Sequence, residues 1–380
     1  MCVGLLIASE FLPVSLLTPI ARDLHATEGM AGQAISTSGL FAVIASLLIA
    51  TVASHFDRRN LLLGLTAAML ASLATVAMAK SFVVLIVGRA LLGVVIGGFW
   101  ALAVSTVLRL VPSGSNSVSK ALGIVYSGNA IATAFAPPLG SYFGAIVGWR
   151  GVFWGMVPLA VICLVWQWAS LPSIPPDRAI PLGEVLQLLK RKSVRVASLA
   201  AMLTWSGGMA AFTYFRPFLE TRTRVDSTQL SLLLLALGLA GFVGTYLGGA
   251  LADRYLTKLM SLLPMGLALV TLGLLAVGQS VPLVAVGLFV WGVLNSTIPV
   301  AWSTWQTVGF ADQPEAGGGL MVAAIQLSIL VGGALGGILL DHISITASFL
   351  AGAVLLILAT VTVGDGTRVL PGYDRCNGEV

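Results

Sequence analysis

Residues 171–195, LPSIPPDRAIPLGEVLQLLKRKSVR, are the longest polar interruption in a chain that is apolar almost everywhere else. The stretch is proline-rich at its start and basic at its end, so it reads as a surface linker. On either side, apolar runs recur at spanning length with short polar breaks between them. A helix needs about 20 residues to cross ~30 Å of hydrocarbon. The runs fall at 1–21, 34–54, 60–79, 81–109, 118–147 and 151–170 before the linker. After it they fall at 196–218, 228–252, 258–278, 281–309, 317–340 and 345–364. The expectation is an all-α membrane protein with twelve transmembrane helices. It is divided into residues 1–170, a cytoplasmic linker at 171–195, residues 196–364, and a polar tail at 365–380 that is unlike a helix.

Composition points the same way. Of 380 residues, 57% are hydrophobic and 9% are charged, against about 25% charged in soluble domains. So few polar groups cannot cover a water-facing surface, and a bilayer is the natural solvent. The net charge of +5 raises nucleic acid as a partner, but where the charge sits decides. With the N-terminus in the cytoplasm, the 20 Lys and Arg divide into 13 inside and 6 outside, with Arg89 within a span. The positive charge is thus a topology signal. It predicts a multi-pass membrane protein with both termini cytoplasmic and no nucleic-acid partner. The first 21 residues lack a basic lead and a clear small-residue cleavage motif, so they read as a spanning helix rather than a signal peptide.

Internal repetition sharpens the architecture. Asp57-Arg58 follows the second span and Asp253-Arg254 the eighth, 196 positions apart. Leu139-Gly140 and Leu335-Gly336 repeat at the same offset, as do Phe153 and Phe349. Coincidences at one offset, half the chain in length, predict two homologous six-helix halves. Carriers built this way bind substrate near the midplane between the halves.

Polar residues placed deep in spans are the candidates for chemistry. Glu10 lies roughly 13–16 Å from the outer end of the first span, near the midplane. A carboxylate there suits a proton carrier, loaded facing one side and unloaded facing the other. A structural carboxyl bonded to a neighbouring helix is the plainer alternative. Arg89, in VGRALLGVVIGGFW, is about 12 Å into the fourth span. Charge at such depth is costly and usually functional, although a side chain snorkelling to the interface is also open. Asn129, Asn295 and Gln326 lie near the middle of their spans and form a candidate substrate pocket. Trp100, Trp205, Phe212, Tyr214, Trp302 and Trp305 supply aromatic surface, each of which packing alone would also explain. Amides with aromatics suit a flat polar heterocycle, stacked on its face and hydrogen-bonded at its edge. Asp57, Arg58 and Arg59, with the second copy Asp253 and Arg254, form a candidate cytoplasmic latch, a helix-end carboxylate facing a helix N-terminus and basic partners. Ordinary topogenic charge is the alternative.

Several motifs resemble those of the major facilitator superfamily. Gly248-Gly249-Ala250-Leu251-Ala252-Asp253-Arg254 resembles its cytoplasmic signature, while Ser54-His55-Phe56-Asp57-Arg58-Arg59 lacks the glycine usually found ahead of the Asp. The Arg89 stretch resembles the fourth-helix signature of proton-coupled members. SGNAIATAFAPPLGSYFG resembles the antiporter signature, with Ala136 where a glycine is common. More narrowly, Glu10-Phe11-Leu12-Pro13-Val14-Ser15-Leu16-Leu17-Thr18-Pro19 is similar to the first helix of bacterial purine ribonucleoside efflux carriers in the drug:proton antiporter branch. Gly97-Gly98-Phe99-Trp100-Ala101, Gly148-Trp149-Arg150-Gly151-Val152-Phe153, Phe212-Thr213-Tyr214-Phe215-Arg216-Pro217 and Trp302-Ser303-Thr304-Trp305 carry the same similarity. The resemblance implies a proton-coupled exporter of inosine- or guanosine-like nucleosides, and of purine analogues, in the bacterial inner membrane; a monomer is expected. A broader drug or sugar exporter is the alternative on the same fold.

Other classes fare worse. The histidines His25, His55 and His342 lie scattered at loops or helix ends, and Cys2, Cys163 and Cys376 form no CxxC pair. No G-x-x-x-x-G-K-[ST] loop and no H-E-x-x-H motif occurs. An enzyme, an ATP-driven pump within this chain, a metal site and a bound cofactor are therefore not expected. A signalling receptor would need a soluble domain to carry its signal, and the sequence shows no such domain.

Overall fold

A computed structural model describes residues 1–53, 55–110, 115–175, 182–310, 312–366 and 368–370. The helices, in order, are α1 (Cys2–Asp23), α2 (Glu28–Ala53), α3 (Arg58–Ala77), α4 (Phe82–Leu110) and α5 (Ser115–Ser170). They continue with α6 (Leu182–Leu188), α7 (Lys192–Phe212), α8 (Phe215–Phe218), α9 (Ser227–Val277), α10 (Val281–Gly309), α11 (Pro314–His342) and α12 (Ile345–Val363). Among the described residues there is no strand.

Two of these helices are too long for one crossing. The apolar part of α5, Ser127–Ser170, has 44 residues, about 66 Å of helix against a ~30 Å hydrocarbon layer. It breaks at Gly148, whose φ of 73° is left-handed, a region open to glycine but costly for a side chain. α9 breaks at Tyr255, with φ −128° and ψ 28°. Each therefore makes two crossings. Ten helices are long and apolar enough to span, and α7 with its bent continuation makes an eleventh. Counting both arms of α5 gives twelve, six on each side of the linker.

The repeat survives as packing. Phe153 and Phe349, 196 positions apart, are both fully buried in their respective cores. The core of the first half is mainly aliphatic, with Trp149 edge-on to Phe153 at 6.3 Å. The core of the second is strongly aromatic. Phe215 meets Trp291 at 4.9 Å, Phe218 stacks on Phe349 at 4.8 Å, and Trp305 meets Phe310 at 5.0 Å.

Two spans differ from the sequence reading. α2 begins at Glu28 rather than at 34, taking the polar run EGMAGQ into the helix. Hydropathy hides this turn because its polar groups are met by other chain segments: Thr18 donates to Glu28 at 3.0 Å. Beyond α7 the chain bends by 43° into α8 and a π-helical turn, Leu219–Thr223.

All hairpins alternate between two ends of the bundle. Asp57, the linker and the α10–α11 turn mark one, the linker end. The α1–α2 and α11–α12 turns mark the other, the far end.

Candidate functional site

α1 carries two internal prolines, Pro13 and Pro19. A proline has no N–H, so the carbonyl four residues before it loses its helical partner. In a membrane interior a bare carbonyl is expensive. The two freed carbonyls belong to Ser9 and Ser15, and each is taken by an arginine. Arg89 Nη1 of α4 donates to the Ser9 carbonyl at 2.8 Å. Arg216 Nη1 of α8 donates to the Ser15 carbonyl.

Arg89 is completely buried. Its Nη2 also donates to the Glu10 carbonyl at 3.2 Å and to Ser38 Oγ at 3.1 Å, and its Nε to the Ala34 carbonyl at 3.3 Å. The planar fork thus ties α4 to α1 and α2 through acceptors that carry no charge, a task for which a lysine point charge is the wrong shape. Glu10, one residue from this tie, is 4% exposed. Among the described residues no hydrogen bond or ion pair engages its carboxylate, and its only electrostatic partner is Arg89. So the two residues expected to couple do lie together, joined through the backbone of α1 rather than by a salt bridge.

The candidate pocket residues separate into two groups. Gln326 of α11 is buried, and its Oε1 has no hydrogen-bond partner. An unmet buried acceptor costs about 1–3 kcal/mol, so this oxygen is poised for a donor. Asn295 of α10 is half-buried and faces α7 across Gly208; a Cβ there would lie 3.6 Å from its Oδ1. Asn129 of α5 is half-buried. Trp205 of α7 lies 5.9 Å from Trp302 of α10, which in turn meets Trp305 at 5.7 Å. Phe212 stacks on Trp291 at 5.9 Å and meets Phe11 of α1 edge-on at 5.6 Å, bringing an aromatic of each half together. Trp100 is half-buried against the core of the first half.

Tyr214 and Trp305 go elsewhere. The Tyr214 hydroxyl donates to the Gly333 carbonyl at 2.8 Å. It crowds Gly32 of α2 so closely that a Cβ at that glycine would lie 2.1 Å from the hydroxyl oxygen. Tyr214 is therefore a fully buried wedge at the junction of α2, α7 and α11. Trp305 Nε1 donates to the Val369 carbonyl at 3.3 Å, which anchors the segment after α12.

The latch candidates also have definite places. Asp57 caps α3 by accepting from the Arg59 N–H at 2.8 Å, and it accepts from Ser173 Oγ and from the Ile174 N–H at 3.0 Å. The bond from Ser173, then that from Ile174, hold its carboxyl below the usual carboxylate range. Arg59 donates to the Trp168 carbonyl at 2.7 Å. This copy thus grips the start of the linker within its own half. Arg58 is buried beside it. In the second copy Arg254 lies 5.5 Å from the Tyr255 ring centroid, and the side chain of Asp253 lies outside the described residues.

The sequence reading missed a third feature, at the far end. Asp341 at the end of α11 accepts from Thr27 Oγ1 at 2.5 Å and from the Gly29 N–H at 2.9 Å. Its carboxylate so caps the N-terminus of α2 from the other half. Arg216, which also binds Glu220 at 2.8 Å, reaches α1 beside it. Arg216 counts in the sequence only among the outside charges, and Asp341 is not singled out there; the proline four residues after Ser15 was the signal available.

The profile of the Major Facilitator Superfamily matches residues 1–318. The transcription regulatory protein OpdE of Pseudomonas aeruginosa is 48% identical over 362 residues, covering 94% of this chain and 90% of that protein. The purine ribonucleoside efflux pump NepI of Salmonella typhimurium is 38% identical over 370 residues, covering 97% and 93%. Among solved structures, a D-xylose-proton symporter superposes with a TM-score of 0.77 at 14% identity, covering 96% of this chain and 95% of the symporter. The human organic anion transporter MFSD10 gives 0.68 at 17% identity, covering 95% and 98%.

Proposed function

From the premise that this chain belongs to the major facilitator superfamily, and is a multi-pass membrane transporter rather than an enzyme, we propose that it exports purine ribonucleosides in exchange for protons. The observation that carries the coupling is Glu10: a carboxylate at mid-span, buried, with no hydrogen bond or ion pair among the described residues and an arginine one helix away. Such a group gains most from taking up a proton, and its burial makes the proton's exit a separate event. The nucleoside assignment is supported by the Salmonella relative's description and by an unmet amide acceptor, Gln326, in a molecule whose second half offers indoles in contact with one another. A purine presents N–H and ring nitrogen atoms at its edge and a flat π face, which such groups fit.

Residues 1–170 rock against residues 196–364 around this centre. The excess of Lys and Arg sets the linker end and both termini in the cytoplasm. The far end, joined across the halves by Asp341 and Arg216, is then the outer one. The carrier works as a monomer of the inner membrane. Solute enters from the cytoplasm, a proton from outside neutralises Glu10, and each cycle moves one inward as the other leaves. A transcription-regulatory role, the description carried by the Pseudomonas relative, would be indirect in this chain: a carrier alters transcription by changing the level of a solute that a separate regulator senses.

Inosine uptake into inverted membrane vesicles under an imposed proton gradient tests both parts. Wild-type protein is expected to accumulate inosine, and Glu10→Gln to lose gradient-driven accumulation while keeping its fold. Equal accumulation by the mutant would remove Glu10 from the coupling step. No uptake by folded wild type would turn the reading to a drug or sugar exporter.

A further inference from the structure

Two backbone sites of the first half are left unmet by its own helices at the far end. Pro19 frees the Ser15 carbonyl of α1, and the first N–H groups of α2 have no partner within their helix. Both are met by charged side chains of the second half. Arg216 donates to the Ser15 carbonyl, and Asp341 accepts from the Gly29 N–H and Thr27 Oγ1. The approach is close enough that a Cβ at Gly29 would lie 2.4 Å from the Asp341 carboxylate and 2.3 Å from the Gly337 carbonyl.

From this we infer that Arg216 and Asp341 are the latch that holds the far end shut, each satisfying in trans a backbone group that the opposite half exposes when the end opens. The two act with opposite charge on opposite polarity: a cation on a carbonyl and an anion on a helix N-terminus, where the macrodipole favours it. When the halves part, water takes up both sets of partners less well than the latch does, so the latch favours the closed state without locking it. Thr27, Gly29 and Pro19 are its receiving side. Other charges near Arg216 are Glu220, which it also binds, Glu28 and Arg22. Glu220 holds Arg216 from its own segment, Glu28 of α2 attracts it from the opposite half, and Arg22 of α1 opposes it.

The inference rests on the chain being an alternating-access carrier, and not on its substrate or coupling ion. It is tested by pulsed electron spin resonance on protein in nanodiscs. The three native cysteines are replaced by serine, and spin labels are placed at Val83→Cys and Leu283→Cys. These sites are exposed, at the far ends of α4 and α10, one in each half. Asp341→Ala is expected to raise the ratio of long to short interlabel distances about tenfold, the size of one charge-assisted bond. Asp341→Asn, which keeps an acceptor without the charge, should fall between. Pro19→Ala gives the Ser15 carbonyl back its helical partner and so weakens the Arg216 contact without touching Arg216; about threefold is expected. If Asp341→Ala does not fold, Thr27→Val and Pro19→Ala carry the same test. Distance distributions unchanged from the parent in every folded variant would overturn the latch. Inosine uptake by the parent decides the substrate separately, since its absence leaves the distance result standing.

Discussion

The two halves share a skeleton and differ inside it. At the first half's centre stand Glu10 and Arg89, a carboxylate and a guanidinium sealed among aliphatic side chains. The positions 196 further on hold Ser206 and Ala285. In their place the second half carries rings in two groups through α7 and α10: Trp205, Trp302 and Trp305 in one, Phe212 and Trp291 in the other. A duplicated fold has thus kept its crossings while its two interiors diverged, one toward charge and one toward stacking. The difference teaches that packing tolerates exchange of its fillers, whereas a buried charge binds its surroundings to one geometry.

The strongest way to break this contrast is to exchange a group in each interior. Arg89→Met leaves the Ser9, Glu10 and Ala34 carbonyls and Ser38 Oγ without their donor. About 3–5 kcal/mol of stability should be lost, and Arg89→Lys should recover little of it because a point charge cannot span four acceptors. Trp291→Phe removes one donor, Nε1 to Thr271 Oγ1 at 3.2 Å, and part of a ring; about 1–2 kcal/mol is expected. Thermal melting of the purified proteins in one detergent orders the three. Equal losses for Arg89→Met and Trp291→Phe would mean that the buried charge constrains its half no more than a ring does.

A subtler pair separates cohesion within a half from motion between halves. A Cβ at Gly97 would lie 2.1 Å from the Ala42 carbonyl inside the first half. A Cβ at Gly238 would lie 2.1 Å from the Ala134 carbonyl across the two halves. Both substitutions by alanine force backbones apart, at about 1–3 kcal/mol if the neighbours cannot yield. Gly97→Ala should lower the melting temperature most, and Gly238→Ala should slow transport more than it lowers melting. Gly64→Ala, which meets nothing within 4 Å, is the neutral control. If Gly238→Ala behaves like Gly97→Ala in both assays, the α5–α9 contact is fixed rather than moving.

The smallest effects belong to the linker end. Arg191 and Asp312 form an exposed, two-pronged ion pair, which depresses the Asp312 carboxyl and raises the Arg191 guanidinium. Exposed pairs contribute little, so Asp312→Asn should leave the melting temperature unchanged within error. Asp57 is held below its ordinary range by Ser173 and Ile174, so its contribution is present at neutral pH. That contribution is lost only as pH falls through the depressed value. Ser173→Ala should shrink that contribution and complete its loss at a higher pH, read from melting curves between neutrality and strong acid.

The crossings, the linker and the two-fold repeat were legible from the residues because transfer of a helix into hydrocarbon is decided by its own composition. The depth of Glu10 and Arg89 followed from counting along a helix. The polar start of α2 was misread for the converse reason: EGMAGQ looks like a loop until Thr18 and Asp341 are found supplying its partners. Tyr214 was placed among the pocket residues by its type, yet it is a wedge between glycines, because an aromatic ring at mid-chain carries no mark of what it faces. What the sequence by itself determined is how many crossings there are, where most of them end and which few polar groups go inside. Only the tertiary structure decided which helix meets which: that Arg89 answers Pro13, that Arg216 answers Pro19, and that Asp341 answers the first turn of α2. Burial is a property of one residue and its solvent, whereas a bond between segments hundreds of positions apart depends on where the whole bundle brings them.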